Sequence, residues 1–249
     1  MFTYEQIQAL NNLEIEVYNY VLTHMEKVLN MKIRELADEV HVSTTTVLRF
    51  CAKMGCEGYA EFKFKLKDYL QEKKKVPGHE DYTLLTNFIK HIQEEEYDQL
   101  LEQAVDMIMS SDTVVFFGIG SSGTLGKYGA RYFSDVGKYT QYIDDPFYPI
   151  PDRFMHNSIL IVLSVSGEGR EIIEEIKQYK SLNTRIISIT NSENCTVARM
   201  ADFSITYYMP LVKLERDYNI TTQVPLVLIL ETLGHKIQKR LMEEDSIQL

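Results

Sequence analysis

Val114-Val115-Phe116-Phe117-Gly118-Ile119-Gly120-Ser121-Ser122-Gly123 is the stretch whose reading decides the fold. Four apolar residues in a row need cover on both faces, as a strand inside a parallel sheet does. The run stops at glycine and serine, and a helical pattern follows over about 123–136. The same phrase recurs twice. Ile159-Leu160-Ile161-Val162-Leu163 ends in Ser164-Val165-Ser166-Gly167-Glu168-Gly169, ahead of a helical stretch at 169–180. Ile186-Ile187-Ser188-Ile189 ends in Thr190-Asn191-Ser192-Glu193, ahead of one at 194–200. Residues 138–143 and 203–207 read as further strands, and residues 83–109 as one or two amphipathic helices. A last helix is expected over about 222–241, with Thr222 as its cap and Pro225 in its first turn, where no amide partner is lost. The alternation predicts an α/β three-layer sandwich on a parallel sheet.

In such a sheet the three hydroxyl-rich turns share the carboxyl edge, the usual ligand side. Glycine lets backbone approach a ligand, amides at a helix N-terminus favour an anion, and serine adds neutral donors. That chemistry suits a phosphate monoester on a polyol and needs neither a metal nor a dedicated lysine. Two other readings compete. Gly118-x-Gly120-x-x-Gly123 matches the dinucleotide fingerprint, with Asp144 placed to bind a ribose, so an NAD-sensing repressor would also have this logic. A sugar-phosphate isomerase needs a base beside the sugar, for which Glu168, Glu215, Glu231 and His235 are candidates by type.

The first third differs in kind. Leu10, Leu13, Val17, Val21, Met25 and Val28 recur at steps of three or four, which predicts one apolar helix face. A short helix over about 33–40, the turn His41-Val42-Ser43 and a helix over 44–54 have the dimensions of a helix-turn-helix. Ser43 is a suitable N-cap and Gly55 a C-cap, and another helix follows Gly58. In a DNA-reading module the second helix presents its N-terminal residues, here Thr44, Thr45 and Thr46, to base edges. Arg49 lies one turn on, and Lys53, Lys63, Lys65 and Lys67 are placed to meet phosphates. Residues 1–75 hold eleven basic and eleven acidic side chains, and residues 27–75 are net +4, in a chain of net charge −10. The charged stretch broken by Pro77-Gly78 reads as a linker. The expected division is therefore an all-α helix-turn-helix domain at 1–75, a linker at 76–82 and the α/β domain at 83–249.

Composition is that of a folded chain: 249 residues, 45% hydrophobic and 25% charged, which excludes disordered and fibrous classes. No apolar run approaches the ~18 residues that span a bilayer, and the N-terminus lacks a signal-peptide pattern, so no membrane partner and a cytoplasmic location are expected. Cys51, Cys56 and Cys195 are too few for a disulfide framework and have no ligand spacing, so no metal and no cofactor are expected.

Ile33-Arg34-Glu35-Leu36-Ala37, Val42-Ser43-Thr44-Thr45-Thr46-Val47-Leu48-Arg49-Phe50, Lys53-Met54-Gly55, Gly58-Tyr59 and Glu61-Phe62-Lys63 together resemble the N-terminal domain of RpiR-type bacterial transcription regulators. The turn pattern over roughly 85–240 resembles a SIS (sugar isomerase) domain, the usual C-terminal partner in that family. The resemblance implies a transcription regulator with operator DNA as partner and a phosphorylated sugar as effector. By it, Ser43, Thr44, Thr45, Thr46, Arg49 and Lys53 form the DNA-binding element. Ser122, Ser164 and Ser166 become phosphate ligands, with Gly120, Ser121, Gly167 and Gly169 around them. The threonine usual at the last of these positions is Gly169 here, which offers an amide and no hydroxyl. Paired half-sites and SIS pairing imply a homodimer or homotetramer. A DNA-binding module fused to the sugar site favours sensing over catalysis.

Overall fold

The computed structural model describes residues 3–74, 82–145, 147–148, 157–212 and 219–247. The chain divides into two compact units, Met1–Phe88 with Tyr208–Thr222, and Ile89–Tyr207 with Gln223–Leu249. The boundary expected at 76–82 thus lies a few residues before the change of unit at Phe88, and Tyr208–Thr222 groups with the first unit. The first unit takes in a second piece of chain, because the connection that follows the last strand folds with the N-terminal helices. Of the expected linker, only Tyr82 is among the described residues.

The first unit contains α1 (Tyr4–Gln8), α2 (Asn12–Thr23), α3 (Met25–Asn30), α4 (Ile33–Glu39), α5 (Thr44–Lys53) and α6 (Tyr59–Lys74). The one apolar face expected from Leu10 to Val28 is broken. His24 leaves helical geometry at φ −131°, ψ 33°, separating α2 from α3. Leu10, Val17, Val21 and Val28 remain buried, whereas Leu13 is 54% exposed. Asn11 and Glu14 cap α2 reciprocally, each side chain accepting from the other's backbone N–H. The core is aromatic at its centre, where Phe50 meets Phe62 edge-on with ring centroids 5.2 Å apart. Leu211 in the second piece of chain donates its N–H to Asn19 Oδ1 on α2 at 3.4 Å.

In the second unit α8 (Glu95–Met109) follows α7 (Thr83–His91), which carries the chain across from the first. Then come β1 (Thr113–Phe117), α9 (Ser121–Asp135), β2 (Thr140–Ile143), β3 (Ser158–Ser164), α10 (Arg170–Ser181), β4 (Arg185–Thr190), α11 (Thr196–Met200), β5 (Phe203–Thr206) and α12 (Val224–Ile247). The sheet is parallel throughout, in the order β2-β1-β3-β4-β5. Val115, Phe117, Leu160, Val162 and Ile186 pack under Ile172, Ile176 and Tyr179 of α10 and Val197 of α11. On the other face Phe116 meets Phe133 of α9 edge-on at 5.1 Å. Gly129 keeps α9 close to the sheet, since a methyl there would lie 2.9 Å from the Phe116 ring and 3.3 Å from Leu230 of α12. Lys236 and Arg240 of α12 pair with Asp98, Glu102 and Asp106 of α8 at 2.7–3.2 Å. The last helix begins at Val224, so Gln223 and not Thr222 stands at its capping position.

Candidate functional site

The helix pair in the first unit is set by its turn. Val40 ends α4, His41 takes a positive φ of 55°, and Val42 donates back to the Ala37 carbonyl at 2.9 Å. Ser43 then caps α5, its Oγ accepting from Thr46 N–H at 3.1 Å and pairing with Thr46 Oγ1 at 2.9 Å. Val47, Phe50 and Cys51 face inward. Thr45, Leu48 and Arg49 face out, while Thr44 and Thr46 are half-buried. The serine and Thr46 thus shape the helix start, and Ser43, Thr45 and Arg49 are exposed there. Leu48, 46% exposed between them, went unnoticed in the sequence; an apolar side chain there can meet a thymine methyl.

Lys53, for which a phosphate contact is expected, is also engaged within its own unit. Its ammonium donates to the Ala9 carbonyl at 2.5 Å and to Glu14 Oε2 at 2.6 Å, and Glu14 is 1% exposed. The pair ties the end of α5 to α2, because a buried carboxylate demands a cation. Lys63 is similarly engaged with the Met31 carbonyl, and Lys65 with Glu61 and the Gly55 carbonyl.

In the second unit β1 runs between β2 and β3, so successive connections leave it in opposite directions. The switch point of the sheet therefore lies between β1 and β3, where open α/β sheets bind ligands. The turns after those two strands, carrying Gly118–Ser122 and Ser164–Gly169, adjoin it. Gly118 and Gly123 interlock: a methyl on Gly123 would fall 2.6 Å from the Gly118 oxygen, and one on Gly118 would fall 2.9 Å from the Ser122 carbonyl carbon. Strand-to-helix packing alone therefore accounts for two of the three glycines of the apparent dinucleotide fingerprint. Gly120 differs, with φ 62° and open space where a side chain would be. Ser121 is exposed and Ser122 is 5% exposed in the first turn of α9.

Ser164, 4% exposed, accepts from Gly167 N–H at 3.0 Å, and Ser166 Oγ accepts from Glu168 N–H at 3.3 Å. Gly167 has φ 64°, and a methyl on it would lie 2.1 Å from Cys195 Sγ. Its carbonyl accepts from Val197 N–H at 3.0 Å. Glu168 accepts from Thr196 N–H at 2.8 Å and Thr196 Oγ1 at 2.7 Å. The second and third turns are thereby joined into one rim. Gly169 has ordinary φ −63°, and a methyl there would meet only Ile172 at 3.5 Å, so the backbone does not require glycine at this position.

Of the candidate bases, Glu168 has both oxygens occupied by α11. Glu231 accepts from Tyr128 OH at 2.5 Å and His235 Nε2 pairs with Tyr132 OH at 3.0 Å, so both face the tyrosines of α9. Glu215 lies outside the described residues. One rim residue was missed. Gln223 donates from Nε2 to Ser121 Oγ at 2.7 Å, over 102 residues of sequence that no local pattern bridges. No group of three His, Cys, Asp or Glu side chains arranged for a metal occurs among the described residues.

Comparison with known proteins agrees with both halves. The helix-turn-helix domain of the rpiR family matches residues 4–73, and the SIS domain matches residues 107–228. An uncharacterized HTH-type transcriptional regulator of Clostridium perfringens is 24% identical, covering 93% of this chain and 88% of its own. The HTH-type transcriptional regulator GlvR of Bacillus subtilis is 25% identical, covering 92% and 91%. The chain is an RpiR-type regulator. Among solved structures, Vibrio vulnificus NanR, complexed with ManNAc-6P, overlays this RpiR-type chain with a TM-score of 0.56 at 20% identity, covering 97% of it and 92% of NanR. A Methanococcus jannaschii protein for which a 3-hexulose-6-phosphate isomerase function is inferred shares the fold of the SIS portion, with a TM-score of 0.53 at 22% identity, covering 68% of this chain and 97% of its own. The SIS fold is thus common to regulators and to proteins described as enzymes.

Proposed function

We propose that this RpiR-type regulator reads operator DNA with Ser43, Thr44, Thr45, Thr46 and Arg49 at the start of α5, and that a phosphorylated sugar at the turns of the SIS sheet modulates that binding. The observation that carries the effector half is the gathering of amides and hydroxyls at the switch point: Gly120, Ser121 and Ser122 on one side, Ser164, Ser166, Gly167 and Gly169 on the other. NanR, of the same fold, is complexed with a phosphosugar, which supports the same ligand class here. Sensing is favoured over isomerisation because Glu168, Glu231 and His235 are each engaged away from a sugar. We assign the protein to the cytoplasm as an oligomer, homodimer or homotetramer, pairing through α7, α8 and α12; no helix among the described residues is long and apolar enough to cross a membrane.

Two measurements check this reading. In a thermal-shift screen, a sugar phosphate at a hundredfold excess over its Kd should stabilise the SIS unit by about 2.7 kcal/mol, and NAD and NADH should not. The double variant Ser122→Ala, Ser166→Ala should lose that shift. Stabilisation by the nicotinamides alone would reverse the assignment, and interconversion of the sugar during incubation would restore the enzyme. Arg49→Ala should weaken binding to a selected operator by roughly 1–3 kcal/mol, read by fluorescence anisotropy. Unchanged affinity would remove Arg49 from the interface.

A further inference from the structure

Gln223 stands out on two independent counts. The first is chemical. Ser121 Oγ takes one end of its side-chain amide at 2.7 Å, and the other end, Oε1, is shut from water with no partner. A buried amide oxygen with no donor calls for an explanation, and beside the proposed phosphate turn a donor brought by a ligand supplies one. Ser121 holds one end of the amide, and the end left without a partner sits one side chain away from the turn proposed to take the phosphate.

The second count is topological. The chain leaves the SIS unit after Tyr207, belongs to the DNA-binding unit from Tyr208 to Thr222, and re-enters the SIS unit at Gln223. This piece is bonded across its own two ends and tied to α2 through Leu211. Val212 donates its N–H to Thr221 Oγ1 at 2.9 Å, and Ile220 donates its N–H to the Val212 carbonyl at 2.8 Å. Leu211 is tied to Asn19 of α2. Thr221 itself is 5% exposed. Gln223 is thus the residue just before α12 and the immediate neighbour of a segment that groups with the DNA-reading helices.

We infer that Gln223 reads the polyol part of the effector and is the residue at which occupancy is transmitted to the DNA-binding unit. Its Oε1 accepts a hydrogen bond from a hydroxyl or amide N–H close to the phosphate of a sugar phosphate. The inference rests on the effector reading above and assigns a role within that site. Inorganic phosphate fills the turn without supplying the donor; a sugar phosphate supplies both. The bound donor fixes Gln223, and through the peptide bond to Thr222 it fixes the end of the segment folded into the DNA-binding unit. A ligand changes an equilibrium between two states only through contacts that differ between them, and this contact is placed to differ.

The test uses the full chain, a duplex selected by the wild-type protein from a random library, and five probes: inorganic phosphate, glucose 6-phosphate, fructose 6-phosphate, ribose 5-phosphate and N-acetylmannosamine 6-phosphate. Gln223→Met keeps the length of the side chain and removes its hydrogen bonds. Calorimetry should show the preferred sugar phosphate binding at least tenfold more weakly to this variant, with inorganic phosphate changed less than threefold. At saturating sugar phosphate the ligand-induced change in DNA affinity should fall below a third of the wild-type factor. Ser122→Ala is the comparison, expected to weaken both ligands alike yet to give the full DNA response once saturated. Should Gln223→Met fold poorly by circular dichroism, Gln223→Asn, too short to span Ser121 and a ligand, should give the same pattern. Equal weakening of phosphate and sugar phosphate, no weakening, or a full DNA response at saturation would overturn the role of Gln223 and leave the effector site standing. If the wild-type protein binds none of the sugar phosphates, the effector reading falls and the inference with it.

Discussion

Gly167→Ala is expected to destabilise the SIS unit by on the order of 4 kcal/mol and to remove its response to sugar phosphates. Two effects add. The positive φ of 64° disfavours any side chain, and the new methyl would lie 2.1 Å from Cys195 Sγ and 2.5 Å from its Cβ. Cys195 cannot yield, because it is buried and its sulfur caps α11 by accepting from Ala198 N–H. Gly167 also holds Val197 through its carbonyl, so displacement would part the second turn from the third. Gly120→Ala is the instructive companion. Its backbone is equally unsuited to a side chain, at φ 62° and ψ −130°, but nothing lies within 4 Å of the added methyl. Only the conformational term remains, about 1–3 kcal/mol. Urea unfolding of both variants separates the contributions; equal losses would show that the Cys195 overlap relaxes at no cost.

Glu175→Gln should stabilise the protein by about 2 kcal/mol at pH 8 and by little at pH 5. Glu175 lies on the inner face of α10, 1% exposed. Its Oε1 is shut from water without a partner, and Oε2 has only Gln178 Nε2 at 3.4 Å. Burial pushes its carboxyl up to about 7, with the negative charge of Asp145 adding to the effect. The fold therefore favours the protonated form. Below the ordinary carboxylate range both folded and unfolded chains carry the proton and nothing is lost. As pH rises from about 4.5 to about 7 the unfolded chain releases its proton first, stability falls, and above 7 the full penalty remains. Glutamine keeps the shape and cannot ionise. Denaturation midpoints at pH 5 and pH 8 decide the matter, and the same shift at both would disprove the titration.

What the sequence made legible was whatever repeats over short spans. Apolar runs located the three central strands, and their terminal glycines and serines located the rim. The β-α alternation then implied the layers. The short helix, the turn at His41 and the cap at Ser43 were equally local. What escaped has partners far along the chain. Lys53 looked like a phosphate contact because its exposed, basic setting was visible, whereas the buried Glu14 that claims it is 39 residues away. Glu168 looked like a candidate base, yet it caps a helix that begins 28 residues later. Gln223 carries no periodic signature at all, and the return of residues 208–222 to the helical unit follows from no composition shift. The helical period from Leu10 to Val28 misled in the other direction. It persists through His24, where the backbone breaks, because α2 and α3 each bury a side of the same core.

The fate of the lysines has a kinetic consequence. Lys27 pairs with Glu39, Lys53 with Glu14 and Lys65 with Glu61, while Lys63 is bound to a carbonyl oxygen. Cations already neutralised within their own domain displace few condensed counterions from a duplex, and a chain of net charge −10 exerts little long-range pull on a polyanion. On the proposed reading, diffusion brings such a protein to its operator largely unaided, and the short-range fit at the start of α5, Thr45 and Arg49 included, decides whether it stays.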